Sequence, residues 1–233
     1  MVVAGGPPPD PRITALVPHG SFVVAADSGA DHALALGLRV DHLIGDLDSV
    51  SAIGRAAVAE SGAEIERHPV AKDATDLELA LGAAVALGPQ RVLVIGGAGG
   101  DLDHELGALL LLAAPWFAPS TIQAWQGSTL VTVVRAGTSA TVRGAVGSRV
   151  SLLPIAGMGG MAKGITTVGL RYPLHDEDLP IGTSRGLRNE LTTDIGSVIA
   201  RAGTLLVVQV DALEHALDVA SRVTRTSFPE ASP

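Results

Sequence analysis

Four short acidic segments carry most of the residues in this chain that can do chemistry: AADSGAD (residues 25–31), GDLDS (45–49), KDATD (72–76) and GGAGGDLDH (96–104). In GDLDS, Asp46 and Asp48 are two positions apart, and in an extended segment both carboxylates point to the same side. Two such carboxylates repel unless a cation or a proton intervenes. Hard oxygen ligands suit Mg²⁺, which takes one or two carboxylates and completes its shell with water and phosphate oxygens. The same residue types also form an ordinary Asp turn, with side chains bonded to nearby backbone N–H groups.

In KDATD, Thr75 followed by Glu78 fits a capping box that opens a helix. Lys72, Asp73 and Asp76 then cluster at a helix N-terminus, where anions are favoured. Lys72 there can hold a phosphate and Asp76 can join a metal site. GGAGG follows the apolar run VLVI, and Gly97, Gly99 and Gly100 let backbone N–H groups approach a phosphate closely, or simply turn the chain. The loop is neither a P-loop nor a G-x-G-x-x-G fingerprint. His104 beside Asp103 reads as a phosphate contact or as a polar residue at a helix start. No G-x-S-x-G elbow is present, and the other histidines are scattered without an H-x-x-x-H pair, so a serine hydrolase and a zinc site are poor fits.

These loops need a scaffold that gathers them. Strand-like runs at 2–4, 22–26, 42–45, 63–67, 91–96 and 121–125 alternate with helical patterns at 30–37, 51–61, 75–87 and 103–114. Within the third helix Leu77, Ala80, Leu81 and Ala84 recur at i, i+3, i+4 and i+7, and Gly88-Pro89 stops it. This alternation predicts a parallel sheet with helices on its faces, a three-layer α/β domain that binds ligands at the carboxyl ends of its strands. The acidic segments follow or adjoin those ends, so they are expected to converge. Beyond residues 115–127 the runs are short, β-branched and broken by glycine (129–134, 140–143, 149–155, 164–168, 204–210), which predicts an antiparallel β-sandwich. Leu213, Ala216, Leu217, Ala220 and Val223 share one face of a last helix, expected to dock on the sandwich or on a partner. The expected organisation is therefore an α/β catalytic domain over 1–126, a β-sandwich over 127–210, and a C-terminal helix and tail over 211–233.

Composition bounds the function classes. The chain has 233 residues, 24 acidic and 16 basic side chains, and a formal charge of −8, which argues against nucleic-acid binding by broad phosphate neutralisation. Without cysteine it has no disulfide framework, no thiolate nucleophile and no Cys-ligated metal. The mean hydropathy of +0.38 comes from Ala, Val and Leu interrupted by Gly, Pro and charge, so no membrane span is expected. The N-terminus reads as no signal peptide, and a cytoplasmic protein is expected.

In order, ADSGAD, GDLDS, KDATDLELAL, GGAGGDLDH, GLRYPL (169–174) and RNE (188–190) resemble the thiamine pyrophosphokinase family over roughly residues 23–208. The resemblance implies an α/β nucleotide-binding domain followed by a β-sandwich, in a homodimer with active sites at the interface. It implies Mg²⁺-dependent transfer of a diphosphoryl group from the co-substrate ATP to the hydroxyethyl oxygen of thiamine, giving thiamine diphosphate and AMP. On the same ground Asp46, Asp48 and Asp76 are the expected metal-binding and catalytic acids. Asp27, Ser28, Gly29, Ser49, Lys72, Asp73, Thr75, Gly97, Gly99, Gly100, Asp103 and His104 are expected around the nucleotide, and Tyr172, Arg188 and Asn189 approach from the sandwich.

Two positions depart from the family pattern. Asp101 stands where an arginine is usual, and Arg188 stands where a serine is usual; Arg188 or Arg185 is expected to restore the positive charge lost at Asp101. Two further readings accompany the first: a diphosphokinase acting on another alcohol, such as a hydroxymethyl pterin, and a nucleotide or thiamine sensor without turnover.

Overall fold

The structure, a computed structural model, describes residues 1–227. Its first half is set by apolar strands short enough to be buried on both faces. Strands β1 (Val2–Val3), β2 (Val24–Ala26), β3 (His42–Gly45), β4 (Glu64–Arg67), β5 (Arg91–Gly96) and β6 (Thr121–Gln126) run parallel in the order β6-β5-β1-β2-β3-β4. Alternate residues serve alternate layers. Val2, Val24, Ala26, Ile44 and Val94 meet helices α3 (Asp76–Ala86) and α4 (Leu102–Leu112). Val3, Ala25 and Leu43 meet α1 (Gly29–Ala35) and α2 (Ala52–Glu60). The edge strand β4, with sequence EIER, is exposed along its length, and its charges deter pairing with another chain.

Helix α3 begins as its sequence directs: Thr75 is the N-cap, and its Oγ1 accepts a 3.2 Å bond from the Glu78 N–H. Strand β2 starts two residues later than expected, because the Val23 N–H is bonded sideways to Asp41 Oδ2 at 2.9 Å.

After Gln126 the chain turns through Gly127 and Ser128 into β7 (Thr129–Arg135), antiparallel to β6. The expected boundary at 126/127 falls in this hairpin, and the hydrogen-bonded sheet runs through it as β6-β7-β14-β9-β12, with β14 at Thr204–Gln209, β9 at Arg149–Ala156 and β12 at Asn189–Glu190. A second sheet, β11-β10-β13-β8, covers one face (β8 Ser139–Arg143, β10 Met161–Val168, β11 Glu177–Pro180, β13 Ile195–Ile199). Val134, Val150, Leu152, Ile165, Val198 and Leu205 fill the space between the layers. The architecture is an α/β half followed by an antiparallel β-rich half, as expected. Strands β11, β12 and β13 escape a sequence reading because they are two to five residues long and carry Pro, Asp, Asn or Gly in place of an apolar alternation.

The last helix corrects an expectation. Helix α5 (Leu213–Ser227) docks mainly on the α/β half: Leu213, Ala216 and Leu217 join Ile13, Leu36, Ile95 and Trp125, with Leu130 of β7 at the edge. Its partner is a short 3₁₀ helix, Pro11–Leu16, to which Arg12 adds a 2.6 Å ion pair with Glu214. That 3₁₀ turn carries no long apolar period, so the sequence hides the surface that receives α5. The side chain of Val223 and residues 228–233 lie outside those described.

Arg135 ties the halves together. From β7 its guanidinium donates to the carbonyls of Ala113 (2.7 Å), Ala114 (3.1 Å) and Leu112 (3.3 Å), capping the C-terminus of α4. The helix that leads into the candidate site at one end is thus fixed at the other end by the β-rich half.

Candidate active site

Strand β1 has β2 on one side and β5 on the other, so the chain changes direction across the sheet between β1 and β5. Ligands bind at such a switch point, outside the carboxyl ends of the strands. A cleft of about 850 Å³ opens there, floored by Val94 and Ala124 and walled by α3 and α4. The loops after β1 (Gly5, Gly6, Pro7) and β5 (Gly97, Gly100) both line it. They touch: a Cβ on Gly97 would stand 2.2 Å from the Pro7 carbonyl oxygen, so only glycine fits. The Gly5-Gly6-Pro7 loop was missed in the sequence, although it shares with GGAGG the signal of an apolar strand followed at once by glycines.

The acids converge beside this cleft. Asp27, Asp46 and Asp76 offer carboxylate oxygens all within 4.8 Å of one another. Lys72 Nζ lies 3.1 Å from Asp46 Oδ2 and 3.1 Å from Asp76 Oδ1. The contact to Asp76 Oδ1 is an ion pair without hydrogen-bond geometry, and that oxygen and Asp27 Oδ1 are both buried with no hydrogen-bond partner. Gly45, at φ 152°, makes the room: a Cβ there would come within 3.1 Å of both Asp27 Cβ and Asp76 Oδ1. Buried carboxylate oxygens that accept no hydrogen bond, around a space kept clear by a glycine, suit a hard divalent cation.

Asp48 does not join as expected. Leu47 has φ 67°, so the segment is bent, and its side chains do not alternate as in a strand. Asp46 turns into the half-buried group while Asp48 stays exposed at the rim, its N–H bonded to Asp46 Oδ1 at 3.2 Å. The two remain electrostatically linked. The Asp48 N–H bond and the Lys72 ammonium hold the Asp46 carboxyl below the usual carboxylate range, and the Asp46 charge pushes that of Asp48 above it. Burial alone would lower the Lys72 ammonium, but its contacts with the Asp46 and Asp76 carboxylates outweigh that and hold it above the usual lysine value. Asp27, also in the left-handed region at φ 47°, is fixed by its N–H bond to the Ile44 carbonyl (2.9 Å) and by the Ser49 hydroxyl, which donates to Asp27 Oδ2.

The glycine loop behaves differently from a free anion cradle. Gly99 and Gly100 donate their N–H groups to Glu105 Oε1, at 2.6 and 3.1 Å, so an internal carboxylate occupies them. Asp101, at the N-cap of α4, makes no side-chain cap bond, and with Asp103 and His104 it stands exposed on the cleft wall. Bonds from the His104 N–H and ring hold the Asp103 carboxyl below its usual range. Ser28, Ser49 and Thr75 also line the cleft, whereas Asp73 is exposed and outside it and Gly29 is buried at the start of α1.

Tyr172, Arg188 and Asn189 do not reach this cleft in the same chain. Asn189 is buried and locks Tyr172 in place, accepting its N–H at 3.0 Å and donating to its carbonyl at 2.8 Å, while the Tyr172 ring stays exposed. Arg185 is paired with Glu177 at 3.2 Å, and Arg188 is exposed on the β-rich half, so neither offsets Asp101 within one chain.

Comparison with known proteins decides the family. A profile described as "Thiamin pyrophosphokinase, catalytic domain" matches residues 13–124, and one described as "Thiamin pyrophosphokinase, vitamin B1 binding domain" matches residues 141–205. The chain belongs to the thiamin pyrophosphokinase family. A curated thiamine pyrophosphokinase from Bacillus subtilis is 24% identical over 209 residues, covering 89% of this chain and 96% of that protein. The fold is similar to the crystal structure of a thiamine pyrophosphokinase from Bacillus subtilis (TM-score 0.77, 24% identity, 90% and 97% of the two chains). It is also similar to that of a thiamin pyrophosphokinase family protein from Enterococcus faecalis (TM-score 0.72, 28% identity, 90% and 97%). The junction between the two thiamin pyrophosphokinase profiles spans the β6–β7 turn, so the acids of the cleft fall in the first profile and Tyr172 and Asn189 in the second. Among the described residues no helix is long and apolar enough to cross a membrane.

Proposed function

We propose that this chain is a Mg²⁺-dependent diphosphotransferase that moves the β,γ-diphosphoryl group of ATP onto the hydroxyethyl oxygen of thiamine, releasing AMP. The observation that carries the reading is the group formed by Asp27, Asp46 and Asp76, with two buried oxygens that accept no hydrogen bond, at the mouth of a cleft in a thiamin pyrophosphokinase fold. Asp27, Asp46 and Asp76 would hold Mg²⁺, with Asp48 at the rim; when bound, Mg²⁺ neutralises polyphosphate charge and polarises the phosphoryl group.

The rest of the work falls to the chain. Six acids line the cleft (Asp27, Asp76, Glu78, Asp101, Asp103 and Glu105), against Lys72 as the sole lysine or arginine among its described lining residues. A bare triphosphate meets net repulsion there, so the cleft suits a nucleotide that arrives with its cation. Lys72, released from its two carboxylates, reaches the phosphates. The cleft's loops and its apolar floor hold the nucleotide so that the thiamine oxygen lies in line with the β-phosphorus. The new bond joins that oxygen to the β-phosphorus, the bond to the α,β-bridging oxygen breaks, and AMP leaves. The alcohol proton passes to a carboxylate of the group. Positioning and electrostatics supply most of the rate in such transfers.

We also propose the division into 1–126, 127–210 and 211–233, and a homodimer in which the partner brings Tyr172, Arg188 and Asn189 to this cleft. Their distance from the cleft of their own chain supports that arrangement. A cytoplasmic location fits a chain that acts on soluble substrates. Incubation with ATP, Mg²⁺ and either thiamine or a hydroxymethyl pterin tests the reading. AMP formed with thiamine alone is expected; AMP with the pterin alone, or with neither acceptor, contradicts it.

A further inference from the structure

We infer that Arg55, which nothing in the reaction requires, is a positioning residue that sets how tightly the acid group holds a divalent cation, because it anchors the bend between Asp46 and Asp48. The inference rests on the proposal that Asp27, Asp46 and Asp76 hold that cation. Leu47, at the apex of the bend, has φ 67°, a conformation that a branched side chain with a Cβ adopts only when its surroundings enforce it. Two features enforce it. The Leu47 side chain, 8% exposed, is buried with Leu43, Val50 and Val58, and its carbonyl accepts a 2.9 Å bond from Arg55 Nη1.

The rest of the loop is anchored around that point. Asp48 N–H is tied to Asp46 Oδ1, and the Ser49 hydroxyl is tied to Asp27. Ser51, the N-cap of α2, donates its N–H (2.8 Å) and hydroxyl (2.5 Å) to Asp31 of α1, so α2 is locked to the helix that follows Asp27. Arg55 sits one turn into α2 and joins that fixed helix to the apex. Without it, Leu47 relaxes toward an ordinary extended φ, the alternation of Asp46 and Asp48 returns, and Asp46 turns away from Asp76 and Lys72. Arg55 neither lines the cleft nor bonds an acid, so its effect reaches the cation only through Leu47.

The test is Mn²⁺ binding to nucleotide-free protein, followed by electron paramagnetic resonance, for wild type, Asp46→Asn, Arg55→Ala, Arg55→Gln and Arg55→Lys. Partners that orient metal ligands typically contribute about 10–100-fold in affinity. Arg55→Ala and Arg55→Gln are expected to weaken Mn²⁺ binding by about that factor, and Arg55→Lys, which keeps a cationic donor, to recover most of it. A purely structural arginine would lower Tm in the alanine and glutamine variants and leave Mn²⁺ affinity at the wild-type value, which overturns the inference alone. If wild type binds no Mn²⁺, or Asp46→Asn binds like wild type, the cation site itself is wrong and the inference falls with it. Should Arg55→Ala fail to fold, Arg55→Gln and Arg55→Lys carry the comparison.

Discussion

Lys72 Nζ and Asp46 Oδ2 lie 3.1 Å apart, with the lysine side chain only 14% exposed, so the ammonium stands where two acids from different loops meet. It also contacts Asp76, four residues on at the start of α3. The lysine therefore neutralises the same group that a divalent cation is proposed to neutralise, and the two substitute for one another electrostatically. Lys72→Met leaves three carboxylates without a counter-charge. Its Tm in EDTA should fall below that of wild type, and saturating Mg²⁺ should recover more of the Tm in the variant than in wild type. Thermal unfolding followed by circular dichroism checks this; equal Mg²⁺ shifts in the two proteins count against it.

Asp48 gives a pH dependence with a definite sign. The Asp46 charge raises its folded pKa above the ordinary 3.8, so the Asp48 contribution to stability is full below the unfolded pKa and is lost as pH rises through the folded pKa. At neutral pH without divalent cation the protein carries that repulsion. Asp48→Asn should therefore raise Tm at pH 7 in EDTA, with the gain shrinking as the pH is lowered through the carboxylate range. Asp46 runs the opposite way: its lowered pKa contributes stability above the unfolded value that is lost as pH falls through the folded one. Thermal scans of Asp48→Asn and Asp46→Asn from pH 3 to pH 8 separate the two.

Arg135 is expected to matter for the whole chain and not for one half. Hydrogen bonds from a charged donor contribute about 1.5–3 kcal/mol, and here one guanidinium serves three carbonyls at the end of α4. Arg135→Met should lower the free energy of unfolding by about 2 kcal/mol in urea titration. An effect below a few tenths of a kcal/mol would show that water caps the helix equally well.

Glu105→Ala removes the acceptor that holds the glycine loop. The Gly99 and Gly100 amides should lose hydrogen-exchange protection while the strands of the sheet keep theirs. Unchanged protection at those two glycines means that Glu105 is not what orders the loop.

How far the sequence carried this outcome is clearest at the acids. Strand–helix alternation and the cap at Thr75 placed Asp27, Asp46 and Asp76 at one sheet edge, because burial of Val, Ala and Leu on fixed periods leaves few arrangements. The split between Asp46 and Asp48 was not legible, since it depends on one left-handed residue, Leu47, held by tertiary contacts that no local pattern encodes. The engagement of the glycine loop by Glu105 was equally hidden: a spacing of five or six residues fits a helix start, a phosphate cradle or an internal carboxylate. The docking of α5 on the 3₁₀ turn is a contact between segments some 200 residues apart, joined by Arg12 and Glu214, whose charges alone name no partner.

The central claim is that Asp27, Asp46 and Asp76 serve diphosphoryl transfer to thiamine. The most direct measurement is phosphorus NMR of the products from ATP, thiamine and Mg²⁺, with wild type and Asp46→Asn compared. The account predicts AMP and thiamine diphosphate in equal amounts from wild type, with turnover reduced by about a hundredfold or more in the variant, as for loss of a group that stabilises transition-state charge. ADP with thiamine monophosphate, or equal rates from the two proteins, would contradict it.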